Sequence, residues 1–596
     1  MFTHKTKIVC SMGPSTKNDE VVSRLIMAGM NVARFNFSHG THESHKEAMD
    51  RVKRVSEKLN RPIALLLDTK GPEIRTGNTE DNSEIKFNKG DKVWVTVDET
   101  LTKAASKTEP GRMSISWKEL PQRVQQGHRI LIADGLLELD VEESDGFTVK
   151  CVAKNSATIG SKKNVNLIGL HAGLPIMSEQ DKNDIRFGAE QDVDFIAASF
   201  VSYASEVQEI RRYLDSLGSK AKIIAKIENE EGLNNIREIA STADGIMIAR
   251  GDLGVQLPTE RIPLAQKHII RVCRQLGKPV ITATQMLDSM IQHPRPTRAE
   301  LTDVANAIFD GTDAVMLSGE TANGLYPIEA VETMVRVAVT VEYSPEYYKK
   351  MRESFEMDLQ GDMSRIVSQN AYQTAREVNA AALITPTLTG NTARMISMFR
   401  PSQPILAVTP NAQVKRQLLL NWGVFPLYAD QVTDSDSMVQ NAIKSAHDAG
   451  AVHISDRIVM ASGYPISAQI VNTIRVLHVG NEMVKSEQGG CACSENARAN
   501  GRILLAKTPT EAYMLLRRDN NEILLCNTLT AEYIPVLRDV RGVIVEGESR
   551  IPAETLPLIN PRLVWLTHAK NAFNALESGM AVTIDGKRLV VYEGTL

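Results

Sequence analysis

The chain has 596 residues, 42 % hydrophobic and 23 % charged, with a formal net charge of −4. That length exceeds what a single core supports and predicts about three or four domains. The charge balance offers no basic surface for nucleic acid or a membrane, and no run of about 18 apolar residues suits a bilayer span.

Six cysteines scattered along the chain fit a reducing cytoplasm, not a disulfide framework. The start, Met1 to Cys10, lacks the apolar stretch of a signal peptide, so a cytoplasmic location is expected. Cys491 and Cys493 form the one close cysteine pair. A single intervening residue without a second pair nearby is a poor zinc pattern.

In chain order, short apolar runs occur at Lys7–Cys10, Asn31–Phe37, Pro62–Leu67, Asp194–Phe200, Ile223–Ile227, Gly245–Ala249, Pro279–Thr284 and Ala314–Ser318. Most are separated by amphipathic stretches such as Asn18–Ala28, Glu43–Leu59, Ser205–Leu217, Glu230–Ile239 and Pro263–Leu276. Alternating strand and helix predicts an α/β fold with a parallel sheet, and eight such units favour a closed (β/α)8 barrel. We expect this barrel over residues 1–70 and 173–345. Between them, 71–172 carries short alternating strands with Gly and Asp turns, the texture of a small inserted β-barrel domain. Its place after the third strand suits a lid over the barrel mouth.

A new α/β pattern occupies 346–480, with strands near Ala380–Thr385, Gln403–Thr409, Gly423–Leu427 and Arg457–Ser462 and a helix over Thr392–Met398. The hydrophilic tract Lys485–Asn496 reads as a linker. Residues 481–596 form a fourth α/β unit.

Charges end several of the apolar runs: Asp68, Lys226, Glu228 and Asp252. Buried strands have no structural need for them, and each carries a large desolvation cost unless it meets a metal, a ligand or an opposite charge. Glu228 and Asp252 end neighbouring strands, and two hard oxygen donors there suit Mg2+ (or Mn2+) sharing its shell with water and a phosphorylated substrate. Lys226 lies two residues before Glu228, on the same side of the strand. It can neutralise a phosphoryl group or an enolate oxygen; a structural ion pair is the competing account. Arg34, Asn36 and Ser38 share one face of their strand. Arg34 can fork onto a phosphate, while Asn36, Ser38, Asp68 and Thr69 offer oxygens for a monovalent cation. His39 and His45 have a plainer alternative as residues of a helix start. Neither Gly-x-x-x-x-Gly-Lys-Ser/Thr nor Gly-x-Gly-x-x-Gly follows a strand. A phosphoryl-transfer enzyme of this sequence would therefore work by metal and Arg/Lys clamps, not by a nucleotide-binding loop.

The runs Asn31–Gly40, Leu67–Gly77, Ile224–Asn229, Ala249–Val255, Ile281–Met290, Pro294–Glu300 and Asp310–Ala322 resemble pyruvate kinase motifs, in family order. The resemblance covers residues 1 to about 480 and weakens after about 345. It implies phosphoryl transfer from phosphoenolpyruvate to ADP, with Mg2+ and K+ as cofactors. Arg34 would hold the phosphate of phosphoenolpyruvate, and Lys226 would stabilise the transferring group and the enolate oxygen. Glu228 and Asp252 would ligate Mg2+, while Gly251, Asp252 and the Thr284 hydroxyl seat the carboxylate. Asn36, Ser38, Asp68 and Thr69 would bind K+, and Glu73 resembles the K+-dependent branch. Arg75, Asn36 and His39 would place the nucleotide, and the enolate would be protonated through water near Thr284, Ser318 and Glu320. Relatives often carry lysine where this chain has Gln180, which leaves open a compensating role for Lys182.

The third domain resembles the family's effector domain. Thr387, Thr389, Gly390, Asn391 and Thr392 make a phosphate nest at a helix start for a sugar-phosphate or nucleotide effector, with a helix cap as the plainer reading. The loop Ser462–Gln469 matches the family loosely. The last domain is similar to the swivelling phosphohistidine domain of phosphoenolpyruvate synthases, but Gly547-Glu-Ser-Arg-Ile-Pro replaces the phosphocarrier motif, so a structural role is expected. A homotetramer is implied by the family alone. Two further readings are a metal-dependent lyase or aldolase, which leaves the inserted and effector domains unexplained, and an inactive regulator, which the intact charged set disfavours.

Overall fold

The computed structural model describes residues 4–170, 172–353, 362–432, 435–454, 456–463, 471–480, 482–492, 497–517 and 521–594. They group into two units, Met1–Gln369 with Thr387–Asp430, and Asn370–Pro386 with Gln431–Leu596. No helix among the described residues is long and apolar enough to cross a membrane.

In the first unit, eight strands close a barrel: β1 (Lys7–Ser11), β2 (Val32–Asn36), β3 (Ala64–Asp68), β4 (Phe195–Ala198), β5 (Lys222–Ile227), β6 (Gly245–Ala249), β7 (Val280–Ala283) and β8 (Ala314–Leu317). Each pairs in parallel with the next, and β8 returns to β1. Val9, Val32, Ala64, Leu66, Ala197, Ile224, Met247, Ile281 and Met316 fill the interior. Their intervening neighbours pack outward against the helices. Leu419 and Leu420, from the turn Leu418–Leu420, join the interior cluster.

Strand parity then decides where charge goes. Inward-facing Val32 is followed by Arg34, Leu66 by Asp68, Ile224 by Lys226 and Glu228, and Ala197 by Ser199. The interior thus changes from apolar at the N-terminal strand ends to charged at the C-terminal ends.

The outer helices begin and end on residues suited to it. Helix His42–Leu59 is capped by Thr41 in a capping box with Ser44 and buries Met49, Val52 and Val55 along one stripe. Helix Arg298–Asp310 starts on the Thr297–Glu300 capping box and ends at Gly311, φ +94°. One stretch departs from expectation. Glu230–Ile239 is not one helix but two, Glu230–Asn234 and Ile236–Thr242. They break at Asn235, whose side-chain amide donates to the Ser202 carbonyl (2.9 Å).

The insertion forms a seven-stranded sheet running from Ile74–Arg75 at one edge to Gly111–Ser114 at the other. All its pairings are antiparallel except Lys92–Thr96 with Gly111–Ser114. A bridge between Thr76 and Ile115 joins the two edges, closing the sheet around its own core. Also in this unit, Ile405–Thr409 and Val424–Tyr428 pair in parallel, beside helices Asn391–Ser397 and Ala412–Gln417.

In the second unit, Ala382–Pro386 pairs in parallel with Arg457–Ser462, which pairs antiparallel with Thr473–His478. Its last part is an eight-stranded sheet with a parallel centre, Arg498–Leu505, Glu522–Cys526, Gly542–Val545 and Val564–Thr567. The tract expected to be a linker is partly a strand of this sheet. Gln488–Cys491 pairs antiparallel with Val564–Thr567. Gly490 marks close packing there, because a Cβ on it would sit 2.6 Å from the Trp565 ring. Cys493 lies outside the described residues.

A buried charge pair ties residues 387–430 to the barrel. Arg400 Nη2 sits 3.0 Å from Asp313 Oδ2 and donates to the Gly311 carbonyl (2.7 Å), while Asp313 accepts the backbone N–H groups of Trp422 and Val280 (3.1 Å each). Asp313→Ala leaves the Arg400 charge buried and unpaired and should cost about 3–5 kcal/mol. Urea unfolding monitored by circular dichroism tests this, and a loss below about 1 kcal/mol would contradict it.

Candidate active site

At the C-terminal end of the barrel, Lys226 is the hub. Its Nζ lies 3.0 Å from Asp68 Oδ1 and 3.0 Å from Glu228 Oε1, and donates to Ser199 Oγ at 2.7 Å. Asp68 receives Arg34 Nε on its other oxygen (2.7 Å), and Arg34 Nη1 donates to Ser11 Oγ (2.7 Å). Asp68, Lys226 and Glu228 are buried.

At an effective dielectric constant near 20, one ion pair at 3 Å is worth about 5 kcal/mol before desolvation. Two such partners decide the state of Lys226: burial works against its charge, yet Asp68 and Glu228 outweigh it and hold the ammonium above lysine's usual range. Burial likewise disfavours the Asp68 carboxylate, but Lys226 and Arg34 prevail and keep it ionised below the usual range.

Glu228 goes the other way. Burial raises its pKa, Lys226 opposes that only in part, and the negative charge of Asp252 adds to the rise. Burial also raises that of Asp252. Glu228 Oε2 accepts the Phe200 N–H (2.6 Å), and the Asp252 carboxylate accepts its own backbone N–H. Arg34 pairs with Asp68 and Lys226 with Asp68 and Glu228, which leaves Asp252 without a cation in ion-pair contact among the described residues. A buried Glu228 whose pKa is raised by the neighbouring, half-buried Asp252 fits a divalent cation held by both. No cluster of three or more His, Cys, Asp or Glu side chains converges on a point among the described residues. A cation held here needs water and substrate oxygens to complete its shell. Asp68 Oδ1 already has its cationic neighbour in Lys226.

The remaining walls come from the loops after the strands. Thr284 sits at φ +66° after β7, a strained conformation for a β-branched residue. Its Oγ1 accepts the Gly251 N–H (2.9 Å) and donates to the Ala283 carbonyl (2.7 Å). Arg250 buttresses this corner by donating to the Thr284 carbonyl (2.8 Å) and pairing with Asp303 (2.8 Å). Glu320 is buried and accepts the N–H groups of Ser318 (2.7 Å) and Leu287 (3.0 Å).

Of the residues singled out for a monovalent cation, Asn36 pairs in register with Asp68, and its Oδ1 accepts the Ser38 N–H (3.1 Å). The Thr69 hydroxyl is 3.3 Å from both the Ala197 carbonyl and the Ser199 N–H. Arg75 is not part of the Lys226 cluster. Its guanidinium pairs with Glu73 (2.6 Å), which also meets Lys70 at 3.3 Å, and donates to the Lys162 carbonyl (2.7 Å). The His39 carbonyl accepts from His45 Nε2 (2.8 Å). Gln180 lines a cavity with Phe37, His42, His45 and Phe187 and donates to Asp184 (2.8 Å). Lys182 is absent from that lining and pairs with Glu179 at 2.7 Å.

Elsewhere in this unit, Thr387 Oγ1 accepts the N–H of Gly390, which is at φ +79°, and Thr389 is exposed. Most of the Ser462–Gln469 loop lies outside the described residues.

Sequence reasoning passed over Ser199, Ser11, Phe200 and Arg250. Ser199 and Ser11 end or follow buried strands, the same signal that marked Asp68, but small hydroxyls there carry less desolvation cost and attract less notice. Phe200 contributes only its backbone N–H, which no side-chain pattern reveals.

Comparison with known proteins identifies the family. Residues 3–331 match the family model of the pyruvate kinase barrel domain and residues 365–477 that of the pyruvate kinase alpha/beta domain. A pyruvate kinase of Staphylococcus aureus (strain USA300) is 40 % identical over 594 residues, 99 % of either chain, and so spans the last domain as well. That of the bovine strain RF122 / ET3-1 is 40 % identical over the same length. The crystal structure of a pyruvate kinase from Cryptosporidium parvum superposes with a TM-score of 0.76 at 40 % identity, covering 80 % of this chain and 96 % of that one. The chain belongs to the pyruvate kinase family, and its reaction is transfer of the phosphoryl group of phosphoenolpyruvate to ADP, giving pyruvate and ATP.

Proposed function

We propose that the Lys226 cluster is the catalytic centre for this transfer and that it works with Mg2+ (or Mn2+) and K+. The observation that carries the reading is the placement of one buried ammonium between Asp68 and Glu228, with a second carboxylate, Asp252, near enough to raise the pKa of Glu228. Glu228 and Asp252 would hold the divalent ion, which supplies charge neutralisation for the phosphoryl group when bound. Arg34 binds the phosphate of phosphoenolpyruvate. Lys226 lies where negative charge builds on the transferring group and on the enolate oxygen, and its charge is already secured by two carboxylates before substrate arrives. The Gly251 and Asp252 N–H groups and the Thr284 hydroxyl orient the substrate carboxylate. Protonation of the enolate at carbon passes through water near Thr284, Ser318 and Glu320. Asn36, Ser38, Asp68 and Thr69 are the K+ ligands, with Glu73 holding Lys70 and Arg75 in place. Arg75, Asn36 and His39 bind the nucleotide.

Division into a barrel (1–70, 173–345), an inserted lid (71–172), an effector domain (346–480) and an extra domain (481–596) is likewise our reading. It is supported by the separate sheets of the insertion and of the last domain. A cytoplasmic location, a homotetramer, and a sugar-phosphate or nucleotide effector at Thr387, Thr389, Gly390, Asn391 and Thr392 are also our reading, resting on the family.

Three results are expected in a lactate-dehydrogenase-coupled assay. Lys226→Met lowers kcat by at least about 100-fold with a smaller change in KM for phosphoenolpyruvate; wild-type turnover would refute its role. Glu228→Gln raises the Mg2+ concentration needed for half-maximal rate by at least about tenfold, read from a Mg2+ titration, and an unchanged titration removes it as a ligand. Replacing K+ by tetramethylammonium at constant ionic strength lowers turnover by at least about tenfold. Full activity without K+ would overturn the monovalent-cation reading.

A further inference from the structure

A cavity of about 290 Å3 lies at the N-terminal ends of β4, β5 and β7, the opposite strand ends from Lys226. Its volume is at the small end of ordinary ligand pockets. Four cations line it, Lys222, Lys278, Arg365 and Arg394, against one carboxylate, Asp244.

That carboxylate is already engaged. Its oxygens meet Lys222 (3.1 Å) and Arg211 (2.9 Å) and accept the Ile223 N–H (2.9 Å). Arg365 pairs with Asp362 (2.9 Å), and Lys278 donates to the Ala243 carbonyl (2.6 Å). Arg394 is different: its guanidinium makes no hydrogen bond or ion pair among the described residues. Burial lowers its pKa, and burial also lowers that of Lys278, with Arg394 among the charges that add to the effect. Asn421 is only 4 % exposed, lines the same cavity, and its amide has no hydrogen bond among the described residues.

A half-buried fork of N–H donors with no acceptor among the described residues, opening with an ammonium and the Asn421 amide into one cavity, suits an anionic occupant. Water satisfies the donors but leaves the excess positive charge. A neutral or cationic ligand does the same. An anion with several oxygens supplies both acceptors and charge, and guanidinium geometry favours bidentate contact with a phosphoryl group.

We propose that this cavity is a binding site for a small phosphomonoester dianion, whose phosphoryl oxygens are forked by Arg394 with Lys278 and Asn421 beside it. It differs from the Thr387–Thr392 loop, from which only Asn391 lines the cavity. The occupant would bridge the barrel and residues 387–430, because Lys222 and Lys278 belong to the first and Arg394 and Asn421 to the second. Binding to the folded state alone raises stability by mass action.

The test is titration of the full chain with sn-glycerol 3-phosphate by isothermal calorimetry and thermal unfolding, with sulfate at equal ionic strength as control. One saturable site per chain and a raised Tm are expected. Affinity should fall at least tenfold in Arg394→Gln, fall less in Arg394→Lys, and hold in Thr389→Ala. The proposal is overturned by equal affinity in Arg394→Gln and wild type, by sulfate binding as tightly as the phosphomonoester, or by loss of binding in Thr389→Ala alone. Absence of saturable binding at about 1 mM, the weak end of the affinity scale, overturns it as well. Should Arg394→Gln not fold, Lys278→Gln is titrated in its place with the same criteria. None of these readouts depends on catalysis, so they stand apart from the roles assigned to Lys226 and Glu228.

Discussion

One ammonium inside a closed barrel sets the terms for the rest of this structure. Lys226 can stay charged only because Asp68 and Glu228 each stand 3.0 Å away. Those carboxylates in turn can be buried only because Lys226 and Arg34 face them. Removing any one leaves a buried charge without its partner, so the four residues stand or fall together. The barrel makes this possible by bringing β2, β3 and β5 to one rim although β5 follows β3 by more than a hundred residues of chain. A parallel sheet closed on itself has no edge, so strand ends keep their register and hold these side chains on a rigid frame.

The frame is stiff where it is apolar and strained where it meets the site. Val9, Val32, Leu66, Ile224 and Met316 pack the lower interior, with Leu419 and Leu420 joining them. At the upper rim the chain adopts conformations of higher energy. Phe200 (φ +59°) and Thr284 (φ +66°) both lie in the left-handed region, at a cost of about 1–3 kcal/mol each. Both do so at the mouth of the barrel. The bend at Phe200 turns its N–H onto Glu228, and that at Thr284 sets its hydroxyl under the Gly251 N–H. Arg250 contributes through what it holds: it anchors the Thr284 carbonyl and Asp303, and thereby the turn that presents Asp252.

Positive charge is treated differently at the two ends of the same barrel. At the C-terminal rim Arg34 and Lys226 each have a carboxylate within ion-pair distance. At the N-terminal rim Lys222 shares Asp244 with Arg211, and Arg394, beside a cavity, has no ion pair among the described residues. Since Lys222 and Lys226 lie on one strand, four residues apart, the two environments are mechanically joined through β5.

The eight-strand alternation and the charged strand ends were legible in the sequence, because a buried strand of Ile, Leu, Val and Ala makes any terminal Asp, Glu or Lys conspicuous and strand parity tells which side it faces. The linker reading of Lys485–Asn496 failed because glycine marks both flexible chain and close packing, and only the neighbouring Trp565 reveals which. Asn235 ends a helix through a carbonyl more than thirty residues away, which no local pattern encodes. By itself the sequence determined the order of elements, the family motifs and the residues able to carry charge, since these depend on periodicity and local chemistry. Which carboxylate meets which cation, which backbone N–H turns inward and which guanidinium is left unpaired were decided only by tertiary structure. Those outcomes depend on distances between strands and loops that sequence spacing does not contain.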